Sequence, residues 1–222
     1  MADTGIFDII GPNMVGPSSS HTAGALRIAL LAGKMLHSRP ASVQFTLYGS
    51  FARTYRGHGT DRALLAGILG MNTEDLRIRD SFSLADQAGL QYSFEENTEN
   101  REVHPNTVDI SLRGEDGEEV RITGVSVGGG AVRITRINGV KVRFSGEYNT
   151  LIVRQLDTPG VVAAITRVLA EHHINIAFMR MYREGKGDIA YTIVEADGQI
   201  PEAAAQEIRS QDNIHNVTLI TI

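Results

Sequence analysis

Residues 151–178 read LIVRQLDTPGVVAAITRVLAEHHINIAF, and this stretch decides the fold of the C-terminal part of the chain. A short β-branched run ends at Asp157-Thr-Pro-Gly160, where the proline suits the first turn of a helix and the aspartate or threonine can cap it. Apolar residues then recur at spacings of three and four as far as His172, which predicts an amphipathic helix. From Ile174 the apolar residues alternate with others, which predicts a strand.

The rest of this segment completes a β-α-β-β-α-β order. After a turn come a strand over residues 189–194, a helix over 201–210 and a strand over 217–222. This order is that of a split-βαβ, or ferredoxin-like, domain. With Asp157-Thr-Pro-Gly160 in its first turn and His173-Ile-Asn-Ile176 opening its second strand, the segment resembles the ACT domain.

The ACT resemblance implies a regulatory role. ACT domains usually bind small amino acids at a domain interface and regulate the enzyme to which they are attached, and some serve only to dimerise. We therefore expect homodimerisation through this domain, and the residues that match the family's regulatory ligand site are Asp157, Pro159, Gly160 and Asn175. A structural role is open for two of them, since Gly160 suits tight packing and Asn175 can cap a helix-to-strand turn.

The composition changes along the chain and indicates a domain boundary near residue 146. Residues 1–146 carry 15 basic and 16 acidic residues and residues 147–222 carry 6 and 10, and we expect two domains with these boundaries.

The 222 residues include no cysteine, which excludes disulfides, a thiol nucleophile, a zinc ribbon and cysteine ligation of an iron–sulfur cluster. The net charge of -5 argues against nucleic-acid binding. Without a long apolar run or a secretion signal, the chain is expected to be cytoplasmic, with no membrane partner and no metal site of its own.

Two loops in the N-terminal segment each precede a predicted helix. Ser18-Ser-Ser-His-Thr22 lies at or just before a helix over residues 23–37, and Gly57-His-Gly-Thr-Asp61 opens a second one. The unpaired N–H groups and the dipole at a helix start favour an anion such as a carboxylate, and the hydroxyls add donors and acceptors. Both loops could converge on one anionic ligand. The alternative is that Ser20 caps the first helix, that Thr60 or the aspartate after it caps the second, and that both histidines are exposed.

Residues 91–144 read as β-hairpins. Strand-like alternation recurs on both sides of His104-Pro-Asn106, and Gly114-Glu-Asp-Gly117 and Asn138-Gly139 are turn sequences of tight hairpins. Gly128-Gly-Gly130 is not a phosphate-binding loop, because no Lys-Ser/Thr pair follows it and the next residues read as a strand. These glycines suit a bend or the close approach of another backbone.

Four groups of motifs together resemble those of one family. They are Gly16-Pro-Ser-Ser-Ser-His-Thr22, Leu47-Tyr-Gly-Ser50 with Gly57-His-Gly-Thr-Asp61, His104-Pro-Asn106 and Ser126-Val-Gly-Gly-Gly130. In this combination the chain resembles the β subunits of iron–sulfur-dependent L-serine dehydratases along its whole length. Its N-terminal segment is similar to the allosteric substrate-binding domain of some phosphoglycerate dehydrogenases. The expected fold class is therefore α+β, with an N-terminal mixed α/β domain of that kind and a C-terminal ferredoxin-like βαββαβ ACT domain.

The resemblance implies a subunit of an enzyme and not a complete one. In this family L-serine is deaminated to pyruvate and ammonia, a 4Fe–4S cluster acts as a Lewis acid on the substrate hydroxyl, and a base removes the α proton. The cluster belongs to a separate α subunit, which we expect as the partner of this chain. The lack of cysteine fits that division.

The same resemblance assigns candidate site residues. His58 or His21 is the candidate for proton transfer, since a neutral imidazole can accept a proton near pH 7. One departure from the family is that many such loops read Gly-Lys-Gly-His, whereas Thr54-Tyr-Arg-Gly57 precedes His58 here, so no role is carried over to Arg56. The candidate substrate contacts are polar residues of the same motifs, namely Ser18, Ser19, Ser20, Thr22, Thr60, Asp61, His104 and Asn106.

Two other functions are open. The chain could be a non-catalytic serine-binding protein that regulates or holds an oligomer together, which would bind L-serine alone and tolerate substitution of His21 or His58. It could also be a small hydrolase with a Ser20–His21 pair. Against the hydrolase, adjacent residues at a helix start rarely place a hydroxyl against a ring nitrogen, and the sequence has no nucleophile elbow.

Overall fold

The structure, a computed structural model, describes residues 13–100, 102–183 and 185–221. It is a mixed α/β architecture with two sheets, as the predicted α+β class requires. The described residues form two compact units that divide between Asn138 and Gly139. The domain boundary near residue 146, which rests on composition, stays a prediction.

The first part of the chain begins with helices on either side of one strand and continues with five consecutive strands. A π-helical turn (Ser19–Ala23) leads into α1 (Gly24–Lys34), and β1 (Pro40–Tyr48) follows. The next elements are α2 (Gly49–Thr54), α3 (Thr60–Ile68), a 3₁₀ turn (Leu76–Asp80) and α4 (Ser81–Gln87). The strands that follow are β2 (Gln91–Asn97), β3 (Thr107–Gly114), β4 (Glu119–Gly128), β5 (Ala131–Ile137) and β6 (Val140–Phe144).

These strands form one sheet in the order β2-β1-β3-β4-β5-β6. The strands β3, β4 and β5 pair antiparallel across tight turns, as the hairpin prediction expected. The prediction is wrong for β2, which pairs parallel to β1. The reason is the intervening helices, because a parallel neighbour needs a long crossover connection and α2 to α4 provide it.

The helices cover one face of this sheet. In β1 the side chains of Val43, Phe45 and Leu47 are buried, and they alternate with more exposed positions as a half-buried strand requires. Helices α1 and α3 approach closely at Gly67, where an added Cβ would lie 2.4 Å from the carbonyl oxygen of Leu26. A separate contact joins the first turn before α1 to the loop before α3, because the hydroxyl of Thr22 bonds to the carbonyl oxygen of His58.

The second part of the chain has the predicted βαββαβ order. Its four strands lie in the order β10-β7-β9-β8, which confirms the ferredoxin-like ACT prediction. Leu151, Val153 and Val194 of the sheet pack in one core with Ile165 and Ile208 of the helices. The elements are β7 (Asn149–Leu156), α5 (Val161–Glu171), β8 (Ile176–Arg183), β9 (Ile189–Ala196), α6 (Glu202–Arg209) and β10 (Ile214–Ile220).

The start of α5 differs from the prediction. Gly160 is the N-cap residue, with a φ of 94° that favours glycine, and no side chain caps the helix. Pro159 lies before the first turn and not within it. Asp157 is not the cap either, since it lies three residues before Gly160 and its carboxylate bonds to Arg183.

Candidate active site

The first candidate loop is drawn into the start of a helix. The hydroxyl of Ser18 accepts a hydrogen bond from the backbone N–H of His21 over 3.1 Å, so Ser18 is the cap. The expectation that Ser20 caps this helix is therefore wrong, and the helical turn begins at Ser19, earlier than predicted. π-Helical turns are rare and often occur at functional sites. Its effect here is to place the side chain of His21 among three hydroxyl groups.

Both ring nitrogens of His21 are held by serine hydroxyls. Its Nδ1 lies 3.1 Å from Oγ of Ser20 and 3.4 Å from Oγ of Ser18, and its Nε2 lies 2.9 Å from Oγ of Ser50. Phe51 presents its ring edge-to-face at a centroid distance of 5.4 Å. The contact with Ser20 contradicts the expectation that adjacent residues would not bring a hydroxyl to the ring. The side chain of His21 turns back along the helix, which is the usual direction for a helical residue.

The second candidate loop carries His58 to the same place. Helix α3 begins at Thr60 with Gly59 as its cap, at a φ of 65°, so neither Thr60 nor Asp61 caps it as predicted. The Thr22 hydroxyl donates a hydrogen bond of 2.9 Å to the carbonyl oxygen of His58. Nδ1 of His58 and Oγ1 of Thr60 are buried atoms without a hydrogen-bond partner among the described residues.

The two histidines lie side by side. The ring centroids of His21 and His58 are 4.8 Å apart and the ring planes are inclined by 44°. The pKa of His21 is lowered from 6.5, first by burial and second by the charge that His58 carries when protonated. Both causes disfavour an imidazolium at His21, so this side chain is held in its neutral form near neutral pH.

A third loop reaches the first two through its backbone. Gly49 has a φ of 54°, and an added Cβ there would lie 2.7 Å from Cα of Pro105. The backbone N–H of Ser50 donates to the carbonyl oxygen of Pro105 over 2.7 Å. The exposed His104 accepts the N–H of Asn106 at its own Nδ1 over 3.2 Å. Within the described part of the chain, neither side chain of this loop bonds to His21 or His58.

The predicted substrate contacts differ in how accessible they are. Ser18, Ser19 and Ser20 are half-buried, and the hydroxyls of Ser18 and Ser20 lie against the ring of His21. Thr22 and Thr60 are buried, at 2% and 0% exposure, so their hydroxyl groups are closed off from solvent. Asp61 is half-buried, and burial raises the pKa of its carboxyl group although its hydrogen bond with Arg62 opposes this.

Two serines close to these loops were absent from the predicted set. Ser50 bonds to Nε2 of His21, although it lies 29 residues away in the sequence. Ser126 is fully buried with an unpartnered Oγ, and an added Cβ on Gly24 would lie 2.1 Å from that atom. Both serines occur in motifs that carry the family resemblance, and that was the available signal.

The candidate regulatory residues do not form one cluster. Asp157 bonds to Arg183 and to the N–H of Gly187, and its pKa is lowered chiefly by the bond with Arg183. Asp157 follows the end of β7, whereas Asn175 precedes β8 and bonds to Asp197 beyond the end of β9. Strands β7 and β8 both run antiparallel to β9, so these residues lie at opposite ends of the sheet. A strand of this length spans about 26 Å. The exposed Pro159 and Gly160 lie at the Asp157 end.

Other features of the described ranges are separate from this site. No group of three or more His, Asp or Glu side chains is arranged there to hold a metal ion. None of the helices in the part of the chain that is described is long and apolar enough to cross a membrane. A groove of about 620 Å³ lies on the first sheet, lined by residues such as Gln44, Ser93 and Arg113, and includes none of the predicted site residues.

Comparison with known proteins accounts for both parts of the chain. The family described as "Serine dehydratase beta chain" matches residues 5–93, and the ACT domain family matches residues 149–213. The chain is 42% identical over 208 residues to the L-serine dehydratase beta chain of Peptoniphilus asaccharolyticus, with 94% of each chain covered. It is 40% identical over 215 residues to the probable L-serine dehydratase beta chain of Bacillus subtilis, with 97% of each covered.

A more distant similarity links the chain to a different enzyme. A D-3-phosphoglycerate dehydrogenase of Bacillus subtilis is 25% identical over 162 residues, which are 72% of this chain and 30% of that protein. The alignments with the two beta chains extend over nearly the whole sequence at 40–42% identity. The chain therefore belongs to the serine dehydratase beta chain family and carries a C-terminal ACT domain.

Proposed function

We propose that this chain is the β subunit of an L-serine dehydratase, which converts L-serine to pyruvate and ammonia. The observation that carries the proposal is the paired imidazoles of His21 and His58, which two loops bring together beside a row of serine hydroxyls. Such a group can receive a small polar substrate and move one of its protons. The names of the two related beta chains supply the substrate and the reaction.

The hydrogen bonding divides the roles of the histidines. Both ring nitrogens of His21 are engaged by hydroxyls. His58 makes no ring hydrogen bond to the described residues, and only its Nδ1 is a buried, unpartnered atom. We therefore assign His58 to accept the α proton of serine through Nε2 and His21 to orient it. Ser18, Ser19 and Ser20 are placed to bind the polar groups of the substrate, and His104 and Asn106 stay candidates for the same task.

This chain has no cysteine with which to bind the iron–sulfur cluster that its family resemblance implies. The described residues also include no cluster of His, Asp and Glu that could replace cysteine. We propose that a separate α subunit holds a 4Fe–4S cluster and that the active site is complete only when the two subunits meet. The part of this chain is then to bind and orient serine and to hold the abstracted proton.

For the ACT domain we propose regulation by an amino acid bound between two copies. Asp157 and Gly160 lie about one strand length from Asn175 in a single domain, so one small ligand cannot touch both ends of it. Homodimerisation could bring opposite ends together. Calorimetric titration with L-serine tests this: binding that is weakened by Asn175→Ala and by dilution to monomer supports it, and binding unaffected by either contradicts it.

The activity is tested by anaerobic pyruvate formation from L-serine. The chain alone is compared with the chain plus a cysteine-bearing partner whose cluster is shown to be intact. Activity that appears only in the mixture, and is lost on His58→Asn, supports the proposal. A matched control is His37→Asn, because His37 is exposed and paired with Glu118. If the intact mixture forms no pyruvate and the chain alone binds L-serine, the non-catalytic serine-binding function is the better account.

A further inference from the structure

One of the hydroxyls that contact His21 has not yet been given a role of its own. Oγ of Ser50 lies 2.9 Å from Nε2 of His21. We propose that Ser50 is a positioning residue for the dehydratase reaction, which acts by fixing the ring of His21 against His58. This inference rests on the proposed function, and nothing in it requires Ser50 to touch the substrate.

The backbone of Ser50 is anchored on both sides. Its N–H donates to the carbonyl oxygen of Pro105 over 2.7 Å, and its own carbonyl oxygen accepts the hydroxyl of Thr54 over 2.8 Å. The preceding Gly49 touches Pro105 so closely that no Cβ would fit. A hydroxyl on such a constrained backbone holds a partner more firmly than one on a mobile loop, because little further entropy is lost when the bond forms.

The bond to Ser50 completes the restraint of His21. Ser20 and Ser18 hold Nδ1 from one side, and Ser50 holds Nε2 from the other. A ring bonded at both nitrogens cannot flip or swing without losing a hydrogen bond in a half-buried place. The face that His21 presents to His58 is therefore constant. Through that contact, Ser50 links the Pro105 loop to the proposed proton acceptor.

The chemistry of a hydroxyl suits this position. A neutral imidazole has one donor and one acceptor nitrogen, and a hydroxyl can pair with either. A carboxylate at the same place would favour the imidazolium, and a charged His21 beside His58 would oppose the protonation of His58. No carboxylate bonds to His21 in the described part of the chain. Ser50 thus orients the ring without adding charge.

Two measurements test the inference, and one is independent of activity. In the full-length chain with 15N-labelled histidine, NMR is expected to show that Ser50→Ala shifts the ring 15N resonances of His21, while those of His37 and His172 stay unchanged. Ser50→Thr keeps a hydroxyl and is expected to restore the wild-type shifts. Unchanged His21 resonances in Ser50→Ala would show that the hydrogen bond does not exist and would overturn the inference.

The second measurement is the kinetics of the chain with its cluster-bearing partner. Ser50→Ala is expected to lower kcat about tenfold or more, with KM within about twofold, because the bond acts through His21 and not on substrate binding. Ser50→Thr is expected to recover most of kcat. Ser83→Ala, which removes an exposed helical hydroxyl elsewhere, is the matched control.

The outcomes separate this inference from the proposed function. If Ser50→Ala alters the His21 resonances but keeps a wild-type kcat, the positioning role is overturned while the dehydratase function stands. The same holds if Ser50→Ala raises KM and leaves kcat unchanged. Absence of pyruvate from the wild-type mixture contradicts the function, and the role of Ser50 in the reaction falls with it. The NMR result then still decides whether the contact with His21 exists.

Discussion

The hydroxyl of Thr22 donates a hydrogen bond of 2.9 Å to the carbonyl oxygen of His58. Thr22 is 2% exposed, so this bond is formed inside the protein and joins the first turn of one helix to the loop that precedes another. The two segments that carry the histidines are therefore held together by a side chain that is shielded from solvent.

Removal of this link should affect both stability and turnover. Thr22→Val keeps the shape but leaves the carbonyl of His58 without its donor, and we expect a loss of about 1 kcal/mol in the free energy of unfolding. Because the His58 loop loosens, kcat of the complex should fall as well. Thr135→Val removes a comparable bond, from Thr135 to the carbonyl of Thr123, away from the histidines. Urea unfolding and steady-state kinetics of both variants measure these effects. An unchanged kcat in Thr22→Val would contradict the expectation.

The proximity of the two imidazoles predicts how His21 titrates. Burial is the larger cause of its lowered pKa and His58 the smaller. His58→Gln should therefore raise the pKa of His21 without returning it to 6.5. An NMR titration of the histidine Cε1–H signals measures this, with His37→Gln as the control. A His21 pKa that does not move in His58→Gln would show that the rings are not coupled.

The same lowered pKa has a consequence for stability. Below the unfolded value of 6.5 the unfolded chain binds a proton at His21 more readily than the folded chain does. Stability should therefore fall as the pH decreases below 6.5, down to the folded pKa. The urea midpoint of wild type and His21→Gln between pH 7.5 and 5 measures this, and the variant should show a smaller decrease. An equal decrease in both would assign the effect to other groups.

Gly49 should be less replaceable than other glycines with positive φ. Gly49 and Gly117 have φ values of 54° and 85°, but an added Cβ would meet Pro105 at 2.7 Å only at Gly49, and nothing within 4 Å at Gly117. Both alanine variants carry backbone strain, and Gly49→Ala adds a clash of about 1–3 kcal/mol. The difference between their urea midpoints isolates that clash. Equal losses of stability would show that the Pro105 loop moves away freely.

In the ACT domain, the bond between Asp157 and Arg183 predicts a contribution to the free energy of unfolding that depends on acid pH. The folded pKa of Asp157 lies below its ordinary value of 3.8, so its stabilising effect is present above that pH and is lost as the pH falls through the folded pKa. Asp157→Asn should abolish this part of the acid dependence. Acid unfolding followed by circular dichroism compares wild type, Asp157→Asn and the exposed control Asp212→Asn. A variant that loses stability as steeply as wild type below pH 4 would contradict the prediction.

Local patterns predicted most of the regular elements. The βαββαβ order of the second unit follows from periodicities of two and 3.6 in residues 149–220, and the structure has that order. The starts of α1 and α3 were predicted near the two histidine loops for the same reason. The caps were predicted less well. Gly59 and Gly160 occupy left-handed backbone conformations at helix starts, where serine, threonine and aspartate were the expected caps.

Long-range pairing could not be read from those patterns. Strand β2 has the alternation of a hairpin strand, yet it pairs parallel to β1, because alternation specifies which side chains face the core and not which strand is the neighbour. Ser20 was correctly placed near the helix start, but its bond to the ring of His21 depends on a π-helical turn that the sequence did not indicate.

The sequence by itself determined the βαββαβ order of the second unit and the two histidine loops before helices, since each of these depends on residues that are close together in the chain. Its composition determined the lack of cysteine. Only the tertiary structure decided that Ser50 meets His21 across 29 residues and that Thr22 meets the His58 carbonyl across 36. Such contacts depend on how α1, α2 and α3 pack on one sheet. Packing of this kind is set by the shapes of many buried side chains together and leaves no periodic trace in the sequence.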